Sequence, residues 1–145
     1  MSSEAACIFC KIIKGQIPSF KIVETATCYS FLDIEPIAKG HVLVIPKYHG
    51  AKLHNIPDEY LKDILPVTKK IAKALDLDID GLEGPGYNIL QNNGSIAHQV
   101  VDHVHFHLIP KRDSETGLIV GWPTTKGDMA QLAELAKDIV SKIEE

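Results

Sequence analysis

The chain has 145 residues, enough for one domain with a buried core and too few for two ordinary ones. With 45% hydrophobic and 23% charged residues it has the balance of a folded, water-soluble protein rather than of a disordered tail or a membrane span. A net charge of -4 offers no basic surface for displacing the counterions of a nucleic-acid backbone, so nucleic acid is not an expected partner, whereas a small nucleotide needs only a few local donors. No apolar run approaches membrane-spanning length, so no membrane partner is expected. Met1 to Ala6 lack the basic and apolar regions of an export signal, and an intracellular protein, cytoplasmic and also nuclear, is expected.

Cys7-Ile8-Phe9-Cys10 is the first feature. Three cysteines make an odd count without a disulfide framework, so this pair reads as reduced thiols able to hold a metal. Gly15 to Pro18 mark a turn. Phe20 to Glu24 and Cys28 to Asp33, rich in aromatic and β-branched residues, are predicted to form a hairpin. His41 to Pro46 carries four consecutive apolar residues, the pattern of a central strand covered on both faces.

Residues 57–76 repeat apolar side chains at helical spacing through Leu61, Ile64, Leu65, Ile71, Ala72 and Leu75, opened by Pro57 and two acids. Pro66 interrupts this stripe, and because the stripe resumes in phase a kink is expected rather than two helices. Strands are predicted at Tyr87 to Gln91 and His103 to Ile109. The connection between them, 92–101, is longer than a tight hairpin needs and is a candidate binding loop. Asp128 and Gln131 open a last amphipathic helix, 128–143. The sum is an α+β fold: a five-stranded antiparallel sheet with a long helix between strands three and four and a helix at the C-terminus.

Alternation along a strand puts His103, His105 and His107 on one face and Val104, Phe106 and Leu108 on the other. At about 3.3 Å per residue the outer two imidazoles are about 13 Å apart at Cα, too far to converge easily on one ion. The row could be a polar strand face or a simple metal site. Its geometry favours divided labour: one outer histidine anchored, the middle one reactive, the other outer one steering charge. A neutral imidazole can attack phosphorus without a separate base, leave again once phosphorylated, and be helped by a second imidazole that hydrogen-bonds the phosphoryl oxygens.

His103-Val104-His105-Phe106-His107-Leu108-Ile109 resembles the signature of the histidine triad (HIT) family, in which His-x-His-x-His precedes two apolar residues. Ile8 to Ile13, Phe31 to Ile34, Gly40 to His49 and Asn92 to Pro110 resemble its Hint branch, the histidine triad nucleotide-binding proteins, and the fungal members most. The resemblance implies one HIT domain over residues 1–145 with a helical extension at 127–145. It implies a homodimer, with the helix at 57–76 and strand four near the twofold axis and Trp122-Pro123 reaching toward the partner's site.

It further implies that His105 takes AMP from an adenosine 5'-monophosphoramidate as a covalent nucleotidyl-histidine, that His107 contacts the phosphate, and that His103 completes the triad. Asp33 would bind the ribose hydroxyls, Phe9, Phe31 and Ile34 would enclose the adenine, Asn92 would contact the phosphate and Gln99 would neighbour the leaving group. Read without that family, Asp33 is a turn residue at a strand end, and Asn92 and Gln99 belong to loop chemistry. His98 and Val100 depart from the animal Hint pattern, which has a small residue and a hydroxyl there. No cofactor is implied for catalysis.

A closed zinc site built on Cys7 and Cys10 must recruit two histidines, and zinc-bearing relatives resemble an arrangement with His49 and His103; His98 could replace His103. The thiols could equally be small buried hydrophobes. Two further functions stay open beside the phosphoramidase: a dinucleoside polyphosphate hydrolase, and a nucleotide-binding interaction module in which catalysis is incidental.

Overall fold

The structure, a computed structural model, describes residues 4–143. Strands β1 (Lys21–Glu24), β2 (Cys28–Leu32), β3 (Val42–Pro46), β4 (Gly86–Leu90) and β5 (Phe106–Lys111) form one antiparallel sheet in the order β1-β2-β3-β5-β4. The expected hairpin is β1–β2, and β3 is the central strand. Its apolar run has a simple cause. Val42 and Val44 face helix α3 (Ile64–Ala74) together with Cys28, Val67, Ile71 and Leu108, while Leu43 and Ile45 face helix α1 (Ile8–Ile13) together with Phe9, Ile12, Tyr29 and Phe31. Two apolar layers therefore sandwich the sheet, and a strand buried on both sides cannot alternate with polar residues.

The helical stretch after β3 is divided. A short helix α2 (Asp58–Leu61) is followed by α3, not by the single kinked helix expected from the sequence. Pro66 explains the break. Its missing N–H would have served the carbonyl of Lys62, and the ladder stops at Lys62–Asp63 so that Pro66 sits in the first turn of α3, where donors have no intrahelical partner. Lys62 and Asp63 keep right-handed helical angles, so the apolar stripe carries across the interruption in phase.

The fifth strand starts later than its histidines suggest. β5 begins at Phe106, so His107 alone of the triad lies within it. Continued register would pair Val104 with Pro46, which has no N–H to give, and the backbone N–H of Val104 instead donates to the carbonyl of Gly50 at 2.9 Å. His103 and Val104 are both fully buried, and the strand expected over His103 to Ile109 begins three residues late. The alternation itself holds: Phe106 and Leu108 pack toward α3, His107 lies on the α1 side in a cross-strand row with Leu43 and Phe31, and His103 and His105 both face Phe9 of α1.

Asp128 caps the last helix, α4 (Met129–Ile143), its carboxylate accepting from the N–H groups of Ala130 and Gln131 at 3.0 and 3.1 Å. No residue of α4 is buried, and Trp122, ahead of it, is exposed. The expected domain limits at 1 and 145 fall in residues 1–3 and 144–145, outside the described residues. No helix among the described residues is long and apolar enough to cross a membrane.

Candidate active site

The site lies where the segment 103–107 crosses the α1 face of the sheet. His105 is buried, and its Nδ1 is 2.7 Å from the backbone carbonyl of His103. A carbonyl only accepts, so the ring proton sits on Nδ1, and Nε2 keeps its lone pair. The ring is enclosed by Phe9, edge-on with centroids 5.2 Å apart, and by His107 at 5.0 Å. Burial pushes the pKa of His105 below its ordinary 6.5, against the smaller opposing effects of the His103 carbonyl and Asp33.

A chain of hydrogen bonds fixes His107 in the complementary tautomer. The N–H of Ile37 donates to Nδ1 of His41 at 3.1 Å, which forces the His41 proton onto Nε2. That nitrogen donates to Nδ1 of His107 at 2.9 Å, and the His107 proton must then sit on Nε2, free to donate outward. Burial, reinforced by the neighbouring His105 and His41, pushes His107 down to about 4, so it is a neutral donor. Asp33 lies 3.6 Å from the same His41 nitrogen. Asp33, His41 and His107 come close enough to resemble a metal triad. The Ile37 N–H argues otherwise, because it occupies the nitrogen that would have to carry the proton if His41 bound a cation through Nε2. His41 was not singled out from the sequence; it lies 66 residues from His107, and its only local signal is one polar residue opening an apolar strand.

His103 is the anchored member. Its Nε2 donates to the carbonyl of Pro46 at 2.8 Å, which leaves the Nδ1 lone pair facing the thiols of Cys7 and Cys10 at 3.4 and 3.6 Å and Nδ1 of His49 at 3.4 Å. The Cys10 sulfur is 3.3 Å from His49. A tetrahedral site with Zn–N of about 2.0–2.1 Å and Zn–S of about 2.3 Å has edges of about 3.3–3.8 Å, so these four atoms fit one ion. A carbonyl behind a ligating imidazole is also the usual outer support of a metal site. Burial, and then the Cys7 thiol, push the Cys10 thiol up to about 12. His98 is exposed in the loop and stands apart from this group.

Residues 14–114 match the family model of the HIT domain. The chain belongs to the histidine triad family. It is 66% identical over 144 residues to the adenosine 5'-monophosphoramidase of Candida albicans, covering 99% of this chain and 95% of that protein. It is 62% identical over 141 residues to the protein of the same name from Saccharomyces cerevisiae, covering 97% and 85%. The crystal structure of the histidine triad nucleotide-binding protein from Candida albicans is similar with a TM-score of 0.92 at 66% identity, over 96% of this chain and 98% of that one. A hypothetical protein from Leishmania major gives 0.86 at 48% identity, over 98% and 99%.

In this HIT protein the remaining candidates fall into two groups. Phe9 and Phe31 are buried beside the triad, with ring centroids 5.6 Å apart, whereas Ile34 is 79% exposed on the rim. Asp33 is partly exposed; one carboxylate oxygen accepts from the N–H of Glu35 at 2.8 Å and the other faces His41. It is thus a turn residue as well as an open acceptor. The second group shapes the loop 92–101. Asn92 donates to the carbonyl of His98 at 3.3 Å. Gln99 is buried, and its amide accepts from Gly94 at 2.7 Å and donates to Ala51 and Val101 at 2.6 and 3.0 Å, so its side chain is committed to folding the loop. Val100, 82% exposed, offers no hydroxyl.

The depressed pKa values of His105 and His107 set a pH dependence. Burial holds the pKa of His105 below its ordinary 6.5, so the acid limb of kcat/KM is expected at lower pH than a free imidazole would give. For stability the sign follows from His107, which is neutral in the fold. Its contribution is complete above the ordinary 6.5 and is lost as pH falls toward about 4. Urea unfolding midpoints across this window should drop toward the acid end.

Proposed function

We propose that this HIT protein is a hydrolase of adenosine 5'-monophosphoramidates, acting through a nucleotidyl group carried on His105. The observation that carries this reading is the orientation of His105, whose Nδ1 is tied to the His103 carbonyl so that Nε2 presents a lone pair. The names of the two fungal relatives, 66% and 62% identical, support the same activity and a purine nucleotide as substrate.

The chemistry proceeds in two displacements. Nε2 of His105 attacks phosphorus, the P–N bond breaks, and the amine leaves with the electron pair and takes up a proton. Water then attacks phosphorus, the P–N bond to His105 breaks, and AMP is released with the imidazole regenerated. Nε2–H of His107 steadies a phosphoryl oxygen as charge builds in each step. Ile34 and the ring floor of Phe9 and Phe31 flank the base, Asn92 lies toward the phosphate, and Gln99 holds the loop beside the leaving group.

Asp33 receives the ribose hydroxyls with the remaining acceptor capacity of its carboxylate. Asp33→Ala is expected to raise KM about tenfold with a smaller loss of kcat, as read from initial rates on an AMP phosphoramidate. A ten-fold fall in kcat at constant KM would instead place Asp33 in the chemical step.

Cys7, Cys10, His49 and His103 would hold a structural zinc ion, which takes no part in either displacement. A second copy of the chain pairs along β4, an edge strand whose Tyr87 and Ile89 are 42% and 46% exposed; an unpaired apolar edge of this kind favours association. The chain then acts as one HIT domain with α4 as its extension. Comparing kcat/KM for adenosine 5'-phosphoramidate and a diadenosine polyphosphate tests the substrate. Preference for the phosphoramidate is expected; preference for the polyphosphate would reassign the enzyme.

A further inference from the structure

The motif Cys7-Ile8-Phe9-Cys10 places one aromatic ring between two thiols, and all three face the triad. Cys7 is the N-cap of α1, its sulfur accepting from the N–H of Cys10 at 3.4 Å. Phe9 stands edge-on to His103, with centroids 5.9 Å apart, and to His105 at 5.2 Å. His103 joins these parts. Its side chain faces both sulfurs, while its main-chain carbonyl orients the nucleophile at 2.7 Å. A helix of six residues has little stability of its own, and apart from apolar packing its tie to this segment runs through the sulfurs.

We propose that a cation held by Cys7, Cys10, His49 and His103 is a positioning device for the nucleophile, clasping α1 to the His103 segment and so fixing both the carbonyl that orients His105 and the Phe9 ring that encloses it. The inference rests on the reading of His105 as nucleophile and of the four-residue group as a metal site. Displacements of about 1 Å cost about a hundredfold in such alignments, so a loosened clasp lowers the rate of the first step without touching the reacting atoms. His103 is then a positioning residue, Phe9 encloses the nucleophile besides flanking the base, and the cation acts only through these two.

The test uses the full-length protein stripped by chelation and reloaded with Zn²⁺ or Cd²⁺. Cd²⁺ reports its own seat through the thiolate-to-metal absorption band, which should saturate at one equivalent and disappear in Cys7→Ser and Cys10→Ser. Imidazole ¹⁵N–¹H spectra report His105 directly. The loaded protein should show a single Nδ1–H tautomer and the stripped protein a mixture of both. Rapid-quench kinetics should show the first turnover slowed by about tenfold or more on stripping. Phe9→Leu, which keeps both thiols, should still bind one equivalent of Cd²⁺ yet slow the same step.

An unchanged His105 tautomer and first-turnover rate in protein that visibly binds and releases Cd²⁺ would overturn the clasp while leaving the metal site intact. Absence of the thiolate band would remove the metal site and the clasp together. A tautomer change on loading in a protein that forms no nucleotidyl-histidine would uphold the clasp and discard the hydrolase reading.

Discussion

Replacing His105 by alanine is expected to lower phosphoramidate turnover by about 10⁴-fold or more, with nucleotide affinity changed far less. The expectation follows from the way the site assigns protons. Within the triad, the Nδ1 lone pair of His103 faces the two thiols and His49, and Nδ1 of His107 receives the His41 proton. Nε2 of His105 is the triad lone pair left uncommitted, and burial pushes that ring's pKa below its ordinary 6.5. No other imidazole of the triad can take over the attack. Initial rates with excess phosphoramidate, alongside AMP binding by calorimetry, check both halves; near-normal turnover by the alanine protein would remove His105 from the chemistry.

The second large effect is expected at His107. Its replacement by alanine removes the donor that meets the phosphoryl oxygens, and loss of one such donor costs about 10²–10³-fold in kcat. His41 acts behind it. Because the Ile37 N–H and the 2.9 Å bond to His107 together fix where the His107 proton lies, His41→Ala should lower kcat by less than His107→Ala, and the double replacement should be little worse than His107→Ala alone. Additive losses in that cycle would show that His41 works independently of His107.

The fold was most legible where a local pattern has one physical cause. The run Val42 to Ile45 announces a strand buried on both faces, and the structure divides those residues between α3 and α1. Period-two alternation told which face the three histidines share, since Phe9 of α1 meets both His103 and His105 and His105 meets His107, but alternation does not reveal where a ladder stops. That limit is set by Pro46 on the neighbouring strand. Pro66 was recognised as a breaker, but whether the chain bends or divides there depends on which residues can accept the loss of one donor. The break falls four residues earlier, at Lys62.

In the site, Cys7-x-x-Cys10 is a local signal, and the grouping of its thiols with His49 and His103 matches the set named from the resemblance. The His41 relay could not be read in this way. It arises from β3 and β5 lying side by side, and nothing near residue 41 anticipates a partner at 107. Gln99 shows the converse. A polar residue in a candidate binding loop invites a ligand role, yet the Gln99 amide is spent on Gly94 and Val101 of the loop and on Ala51 beside it.

The central claim is that phosphorus bonds transiently to Nε2 of His105. Mixing the protein with adenosine 5'-phosphoramidate, quenching within the first turnover and mapping the digested peptides by mass spectrometry tests it most directly. The account predicts an adenylyl group on His105, absent from His105→Ala. Adenylyl on another residue, or product formation in a burst with no adenylyl-protein at any time, would contradict it.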